Sequence, residues 1–376
     1  MRVPMNPITL IESPSREFET GVTSNHAAVS APAGASAPTV QWSWACRKLR
    51  ARDPVVVAAH PSPSHQPAAG DLALVRVDKT GFHKQLTTAD NRRMRLYPGA
   101  RFVGVFGNRY ACDAYEAEVE GPEHLSLLTG AGMIGTVKSK NDAMADPTRV
   151  SLIGYLRSAD GATLNLKEQL FRRTGPGRAP RSLIYIVGSG MNSGKTTTAA
   201  LLTKGLSGLG LNVAACKLTG SVSNHDPDEL AAADARQVTD FSDFGFPSTY
   251  LCERQELLDL FHAMLAEVNA GHPDVVLMEL ADGLLQRETA MLLSEPEVQR
   301  AARGVVLTAE SSLAALYGTQ RLRKLGFNVI AVSGKFTSSP LSIREYCQND
   351  SHIPVVSSAG AGADLAAAVG KFLKNE

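Results

Sequence analysis

Residues 183–197 read LIYIVGSGMNSGKTT, and they decide the fold of the second half of the chain. Leu183–Val187 is a short apolar run of the kind that forms a buried parallel strand. The run stops at Gly188, and Gly190 and Gly194 follow before Lys195-Thr196-Thr197 opens a helical stretch. Glycine lets the backbone curl so that successive N–H groups point inward, which makes a cradle for phosphate oxygens. The helix N-terminus adds its partial positive charge. Gly188, Gly190, Asn192, Ser193, Gly194, Lys195, Thr196 and Thr197 are therefore expected to hold the phosphates of a nucleotide. The Lys195 ammonium would bridge the terminal phosphates, and the Thr196 hydroxyl would ligate Mg²⁺. The spacing is Gly-x5-Gly-Lys-Thr, one residue longer than the common phosphate loop, with Ser189 where that loop has its first glycine.

Working outward, apolar runs recur at Val213–Lys217, Val275–Leu280, Val305–Thr308, Val329–Val332 and Val355–Ser357. Helical patterns separate them at Lys195–Gly208, Asp228–Val238, Arg254–Asn269, Glu288–Leu293, Ser312–Lys324, Ser342–Asn349 and Asp364–Leu373. Strand and helix in alternation predict an α/β domain over 182–376 with a doubly wound, mostly parallel sheet. Ligands of such sheets bind at the carboxyl ends of the strands. Three features fall there. Glu279 ends an apolar run, where an uncompensated carboxylate would be costly and a metal or phosphate partner is the better explanation. Asp282 competes for the same role. The polar segment Ser223–Asp228 offers His225 and Asp226, with a turn and helix cap as the equal alternative. Arg287, in Asp282–Thr289, could stabilise charge on a transferred phosphoryl group or form a surface pair with Glu288. Phe241–Tyr250 reads as a substrate-covering loop or as helix packing.

The loop length resembles dethiobiotin synthetase and its relatives, and further positions extend the resemblance. Lys217 ends the second strand, with Ser221 four residues on. In that family a Lys here contacts the phosphates and the reacting group. An Asp follows the Lys by 17 residues and helps hold Mg²⁺, which in this chain is Asp234. Glu279 looks like that family's metal-binding Glu at a strand end. The resemblance thus implies catalysis by Lys195 and Lys217, with Arg287 added from its position. It implies Thr196, Asp234 and Glu279 around Mg²⁺, and Ser221 beside the nucleotide. It covers about residues 182–375. Molybdopterin-guanine dinucleotide accessory proteins, the cobyrinate amidase group and the deviant-Walker ATPases share much of the plan. The partition ATPases carry an extra Lys where this chain has Gly190, which disfavours a nucleotide-sandwich dimer. The Asn-Lys-x-Asp motif of GTPases is absent, so the reading leans to ATP.

The first half differs in character. Residues 1–69 are rich in Pro, Ala and Ser, and Ser30–Pro38 and His60–Ala69 hold too little apolar surface to order themselves. A disordered tail is expected there, interrupted at Val40–Arg50, where Trp42 and Trp44 adjoin a basic cluster. Residues 70–171 carry short β-prone runs at Leu72–Val77, Arg93–Tyr97, Phe102–Phe106, Tyr115–Glu120, Leu125–Leu128, Ile134–Val137, Val150–Arg157 and Thr163–Leu166. Asp160-Gly161 marks a hairpin between the last two. This pattern predicts a small all-β domain, barrel- or sandwich-like. In Arg101–Tyr110, Asn108 and Arg109 could reach a ligand, against plain turn chemistry as the commoner reading. Residues 172–181 are a Pro/Gly/Arg linker.

Composition bounds the function. The 376 residues are 44% hydrophobic and 20% charged, with a net charge of +1, so nothing global points to nucleic acid. No apolar run is long enough to span a bilayer, and the N-terminus has no basic-then-apolar pattern, so no secretory signal is expected. Five scattered cysteines without a Cys-x-x-Cys pair suit a reduced, cytoplasmic protein. The leading expectation is an ATP- and Mg²⁺-dependent enzyme that phosphorylates a small carboxylate or carbamate for attack by a nucleophile. A nucleotide-hydrolysing switch or accessory protein, its β-rich domain binding a protein partner, is one alternative. A transferase using a nucleotide-containing cofactor such as coenzyme A is another. A homodimer is compatible with all three.

Overall fold

The computed structural model describes residues 9–10, 40–51, 57–59, 65–175, 177, 180–357 and 363–374, with the side chains of 9–10, 57–59 and 363 excepted. Most of the tail, including Ser30–Pro38, lies outside them.

The second half is an α/β fold built on a parallel sheet. Six parallel strands stand in the order Gln237–Asp240, Val213–Lys217, Val275–Leu280, Leu183–Gly188, Gly304–Thr308 and Val329–Ser333. The central strands are buried along their whole length, because both faces of the sheet are covered. Alternation within Leu183–Gly188 divides the cores. Leu183, Tyr185 and Val187 pack with Leu257, Phe261 and Leu322 on one face. Ile184 and Ile186 pack with Leu202, Leu206, Leu365 and Val369 on the other. The sheet register then aligns the strand ends: Lys217 lies opposite Glu279 and Asp240, and Gly188 opposite Thr308.

Two elements differ from the sequence reading. The helix expected at Asp228–Val238 runs instead over His225–Ala232. Asp234 then adopts a left-handed backbone (φ 65°), which ends the helix and frees Gln237–Asp240 to pair as an edge strand. Val355–Ser357 contributes a single bridge, Val332 with Val355, rather than a strand.

The first half is β-rich and barrel-like. Among the described residues its sheet has nine strands and contains a closed ring. Thr148–Arg157 pairs with Leu72–Lys79, which pairs with Arg101–Phe106 and then Met133–Lys140. Leu125–Leu127 bridges Met133–Lys140 back to Thr148–Arg157. Ala73, Val75, Val77, Phe102, Phe106 and Ile134 form one core, and Leu72, Leu74, Val103 and Val105 another. The second core is covered by Trp42, Ala45, Cys46 and Leu49. The segment at Val40–Arg50 is therefore a structural part of the β unit. Of the stretch His60–Ala69, only 65–69 is described, and there Asp71 accepts bonds from His65 and Ala68. The Asp160-Gly161 turn forms. Past Thr163 the chain leaves the sheet, because Asn165 caps a short helix, Leu166–Leu170.

Candidate functional site

A cavity of about 510 Å³ opens at the carboxyl ends of the parallel strands, walled on its far side by the β unit. Asn192, Gly194, Lys195, Thr196 and Thr197 line it from the loop, and Lys217, Ser221, Glu279 and Asp282 from the neighbouring strand ends. His83, Arg109, Tyr110 and the segment Thr129–Ala131 close it from the β unit.

The loop has the backbone that its glycines imply. Gly194 caps the helix Lys195–Gly208 with φ 99°, a conformation that only glycine adopts freely. Ser193 Oγ lies 2.7 Å from Thr308 Oγ1, which pins the loop to the next strand. The Lys335 N–H donates to Ser193 O at 3.1 Å, so the turn Gly334-Lys335 braces the loop from outside. A Cβ on Gly283 would stand 2.8 Å from Gly190 Cα and 3.0 Å from Ser189 O. Backbone meets backbone there, and neither can give way cheaply. Gly283→Ala is expected to fold with the Ser189-Gly190 backbone displaced and, on the nucleotide-binding role proposed below, to bind on the order of 10-fold or more weakly. Calorimetric titration against wild type checks this, and unchanged affinity would refute it.

Charged groups gather under the loop. Lys195 Nζ donates to Gly190 O at 2.9 Å and Met191 O at 3.2 Å, and also to Asp282 O. Burial pulls its pKa down, while Glu279 and Asp282 partly restore it. Thr196 Oγ1 donates to Glu279 Oε2 at 3.1 Å and lies 3.5 Å from Asp226 Oδ1. Lys217 Nζ contacts Asp226 Oδ2 at 2.5 Å and Glu279 Oε1 at 3.5 Å. Burial opposes the Lys217 charge, but Glu279 and Asp226 outweigh it and raise the pKa. The same pairing holds Asp226 below the ordinary carboxylate value against its own burial. Burial raises Asp282, with Lys195 and Lys217 opposing.

Two residues expected in the site lie elsewhere. Asp234 does not line the cavity; it is 62% exposed and pairs with Lys204. Arg287 also lies outside the lining, and donates to Cys252 O at 3.0 Å and to Glu288. Phe241 and Phe246 are core residues, so Phe241–Tyr250 packs rather than covers the cavity. Asp226, offered by the sequence only as an even alternative to a helix cap, joins Thr196, Lys217 and Glu279 instead.

The β unit is tied to the loops around the cavity. Asn192 Nδ2 donates to Asp113 Oδ2 at 2.7 Å. Thr87 Oγ1 donates to Asn224 Oδ1 at 3.2 Å, and Asn91 Nδ2 to Asp228 at 3.0 Å. Tyr250 donates to Glu116 at 3.0 Å. The sequence held no signal for these bonds, since they join positions 79 or more residues apart.

His83 is half-buried against this interface, its Nε2 2.8 Å from Leu128 O. Burial, then the Arg109 charge, lower its pKa to about 4, against the backbone bond. The folded state therefore resists a proton that the unfolded chain accepts near 6.5. The resulting stability is present above pH 6.5 and is lost as pH falls towards 4. Relative to His83→Gln, the wild type should lose about 2–3 kcal/mol of unfolding free energy between pH 7 and 4. Parallel urea titrations at both pH values check this, and two equal acid slopes would refute it.

No family model matches the chain, and no curated protein does. Among solved structures it is similar to the signal recognition particle receptor FtsY of Elizabethkingia anophelis in complex with GDP. That match has 16% identity and a TM-score of 0.36, over 56% of this chain and 70% of that one. It is also similar to chloroplast FtsY of Physcomitrella patens, at 15% identity and TM-score 0.35 over 56% and 70%. The signal recognition particle 54 kDa protein of Aeropyrum pernix K1 in complex with GDP matches at 15% and 0.36 over 53% and 47%. None of these three is a dethiobiotin synthetase. Among the described residues no helix is long and apolar enough to cross a membrane.

Proposed function

We propose that this chain binds a magnesium nucleoside triphosphate on Gly188–Thr197 and cleaves its terminal phosphate bond in the cavity under the β unit. One observation carries the reading. The buried Lys195 ammonium turns back on loop carbonyls beside a linked set of Thr196, Glu279, Asp226 and Lys217. No described cluster of three His, Cys, Asp or Glu side chains forms a complete metal cage. A hydroxyl and one or two carboxylates nevertheless suit a cation that keeps waters and shares phosphate oxygens. Thr196 and Glu279 would hold Mg²⁺, with Asp226 in the place that the resemblance gave to Asp234. Bound there, the ion would neutralise charge on the terminal phosphates.

The loop N–H groups and Lys195 would orient the triphosphate, and Lys217 would meet charge growing on the transferred group. The bond between the terminal phosphorus and its bridging oxygen breaks, and the electron pair leaves on the diphosphate. A new bond forms from the acceptor oxygen. With water as acceptor the products are the nucleoside diphosphate, inorganic phosphate and a proton. Asp282, the cavity carboxyl that burial raises, is the group suited to take that proton.

Two acceptors have separate support. Water, with the β unit sensing the nucleotide, is favoured by the bonds from Asp113, Thr87 and Asn91 to the loops around the site. A small carboxylate or carbamate, giving an acyl or carbamoyl phosphate, is favoured by the cavity volume and by Lys217. Phosphate release is to be measured with ATP and with GTP, each with and without a panel of small carboxylic acids. Release without acid supports the switch, and acid-dependent diphosphate formation supports the ligase-like reaction. Binding without cleavage would leave the coenzyme A type of transferase, and no binding would end the reading.

A further inference from the structure

Resting on that reading, we infer that Arg109, supplied by the β unit, is the cationic group that stabilises the transferred phosphoryl group. The position is built rather than accidental. The Arg109 backbone exchanges two hydrogen bonds with Ala117, at 2.8 and 2.9 Å. Its guanidinium stands 5.7 Å from the Tyr115 ring centroid. Nη1 donates to Leu128 O, which His83 also approaches. The side chain lines the same cavity as Lys195, Thr196 and Lys217.

Its Nε is buried and donates to no atom among the described residues. The guanidinium thus keeps donor capacity that the protein does not use, and a phosphoryl oxygen in the cavity that Arg109 lines is an acceptor suited to it. Burial weakens the charge, while Asp113 and Asp282 sustain it. Those two residues connect Arg109 to the loop. Asp113 accepts from Asn192, and the Asp282 carbonyl accepts from Lys195. Arg109 is thus coupled to the end of the loop where Lys195 would meet the terminal phosphate. Arg287, the sequence's choice for this role, is already engaged by Glu288 and Cys252. In this arrangement the guanidinium of the cavity comes from the β unit, since Arg109 lines it beside Lys195 and Lys217. As the bond to the diphosphate breaks and the bond to the acceptor oxygen forms, negative charge shifts onto the bridging and outer oxygens. A guanidinium there strengthens its bonds in the transition state.

The test uses the full chain and compares ADP or GDP alone with the same diphosphate plus aluminium fluoride, an analogue of the transferring group. Wild type should bind the analogue complex more tightly than the diphosphate. Arg109→Ala should lose that preference by about 10²-fold while its diphosphate affinity stays within about threefold. Its single-turnover cleavage should fall by a similar factor. Arg109→Lys, which keeps a charge and the packing stem, should fall between and guard against misfolding. The inference is overturned if Arg109→Ala keeps the analogue preference. It is also overturned if both variants lose diphosphate and analogue binding by one common factor, as a merely structural residue would. A wild type that binds no diphosphate overturns the function on which it rests; intact wild-type binding with an unaffected variant overturns this inference alone.

Discussion

Lys195→Ala will leave a folded protein whose cleavage of nucleoside triphosphate is roughly 10²–10³-fold slower than wild type. The expectation follows from what the ammonium touches. Its hydrogen-bond acceptors are main-chain carbonyls of Gly190, Met191 and Asp282. Its carboxylate neighbours Glu279 and Asp282 do not depend on it alone, since both also face Lys217. Removing Lys195 also relieves a cation whose pKa burial already lowers. Stability should therefore hold while the charge proposed to meet the terminal phosphates disappears. Urea unfolding and single-turnover cleavage on the same preparations separate the two effects. Undiminished cleavage would sink the assignment.

Lys217→Met will behave in the opposite way and destabilise the fold itself, by about 3–5 kcal/mol at neutral pH. Glu279 is 2% exposed and the Lys217 side chain 12%, so the change strands a buried carboxylate. Asp226 loses the partner that lowers its pKa. The sign is fixed at both ends of the pH scale. Asp226, depressed in the fold, contributes stability above its ordinary 3.8 and loses it as pH falls further. Lys217, raised in the fold, contributes below its ordinary 10.5 and loses it as pH climbs through the raised value. The penalty of the variant should be largest between these limits and shrink in acid. Lys217→Met with Glu279→Leu should recover much of the loss, because the stranded charge is gone. Equal penalties for the single and double variants would show that the pair is not coupled.

These two lysines also mark how much of the site could be read in advance. Lys195 and Thr196 follow from a loop whose glycines, strand and helix are contiguous in the chain. Lys217 and Glu279 follow nearly as directly, because each ends an apolar run and parallel strands deliver their carboxyl ends to one edge. Asp234 lies off the cavity for a local reason. Placing it depended on a helix running through Val238, whereas the helix begins at His225 and stops before Asp234 turns left-handed. That shift brings Asp226 to Thr196 and sends Asp234 outward to Lys204.

Arg109 was visible as a ligand candidate but was outweighed by ordinary turn chemistry, and Arg287 was preferred for being close in sequence to Glu279. Closeness along the chain was the wrong measure. Arg287 begins a helix and meets Glu288 there, while Arg109 reaches the cavity because the barrel docks on the sheet.

The chain's local order thus determines the elements that its own periodicity and glycines control: the buried strands, the turn from Gly188 to Gly194 and the residues at the strand ends. Those features depend on interactions a few residues apart, or on the regular register of a parallel sheet. The closed barrel, the second wall of the cavity and the guanidinium within it depend on contacts between distant segments. Asn192 with Asp113 and Thr87 with Asn224 are side-chain bonds between separate halves of the chain. No spacing rule within either half encodes them, so tertiary structure alone decides what faces the loop.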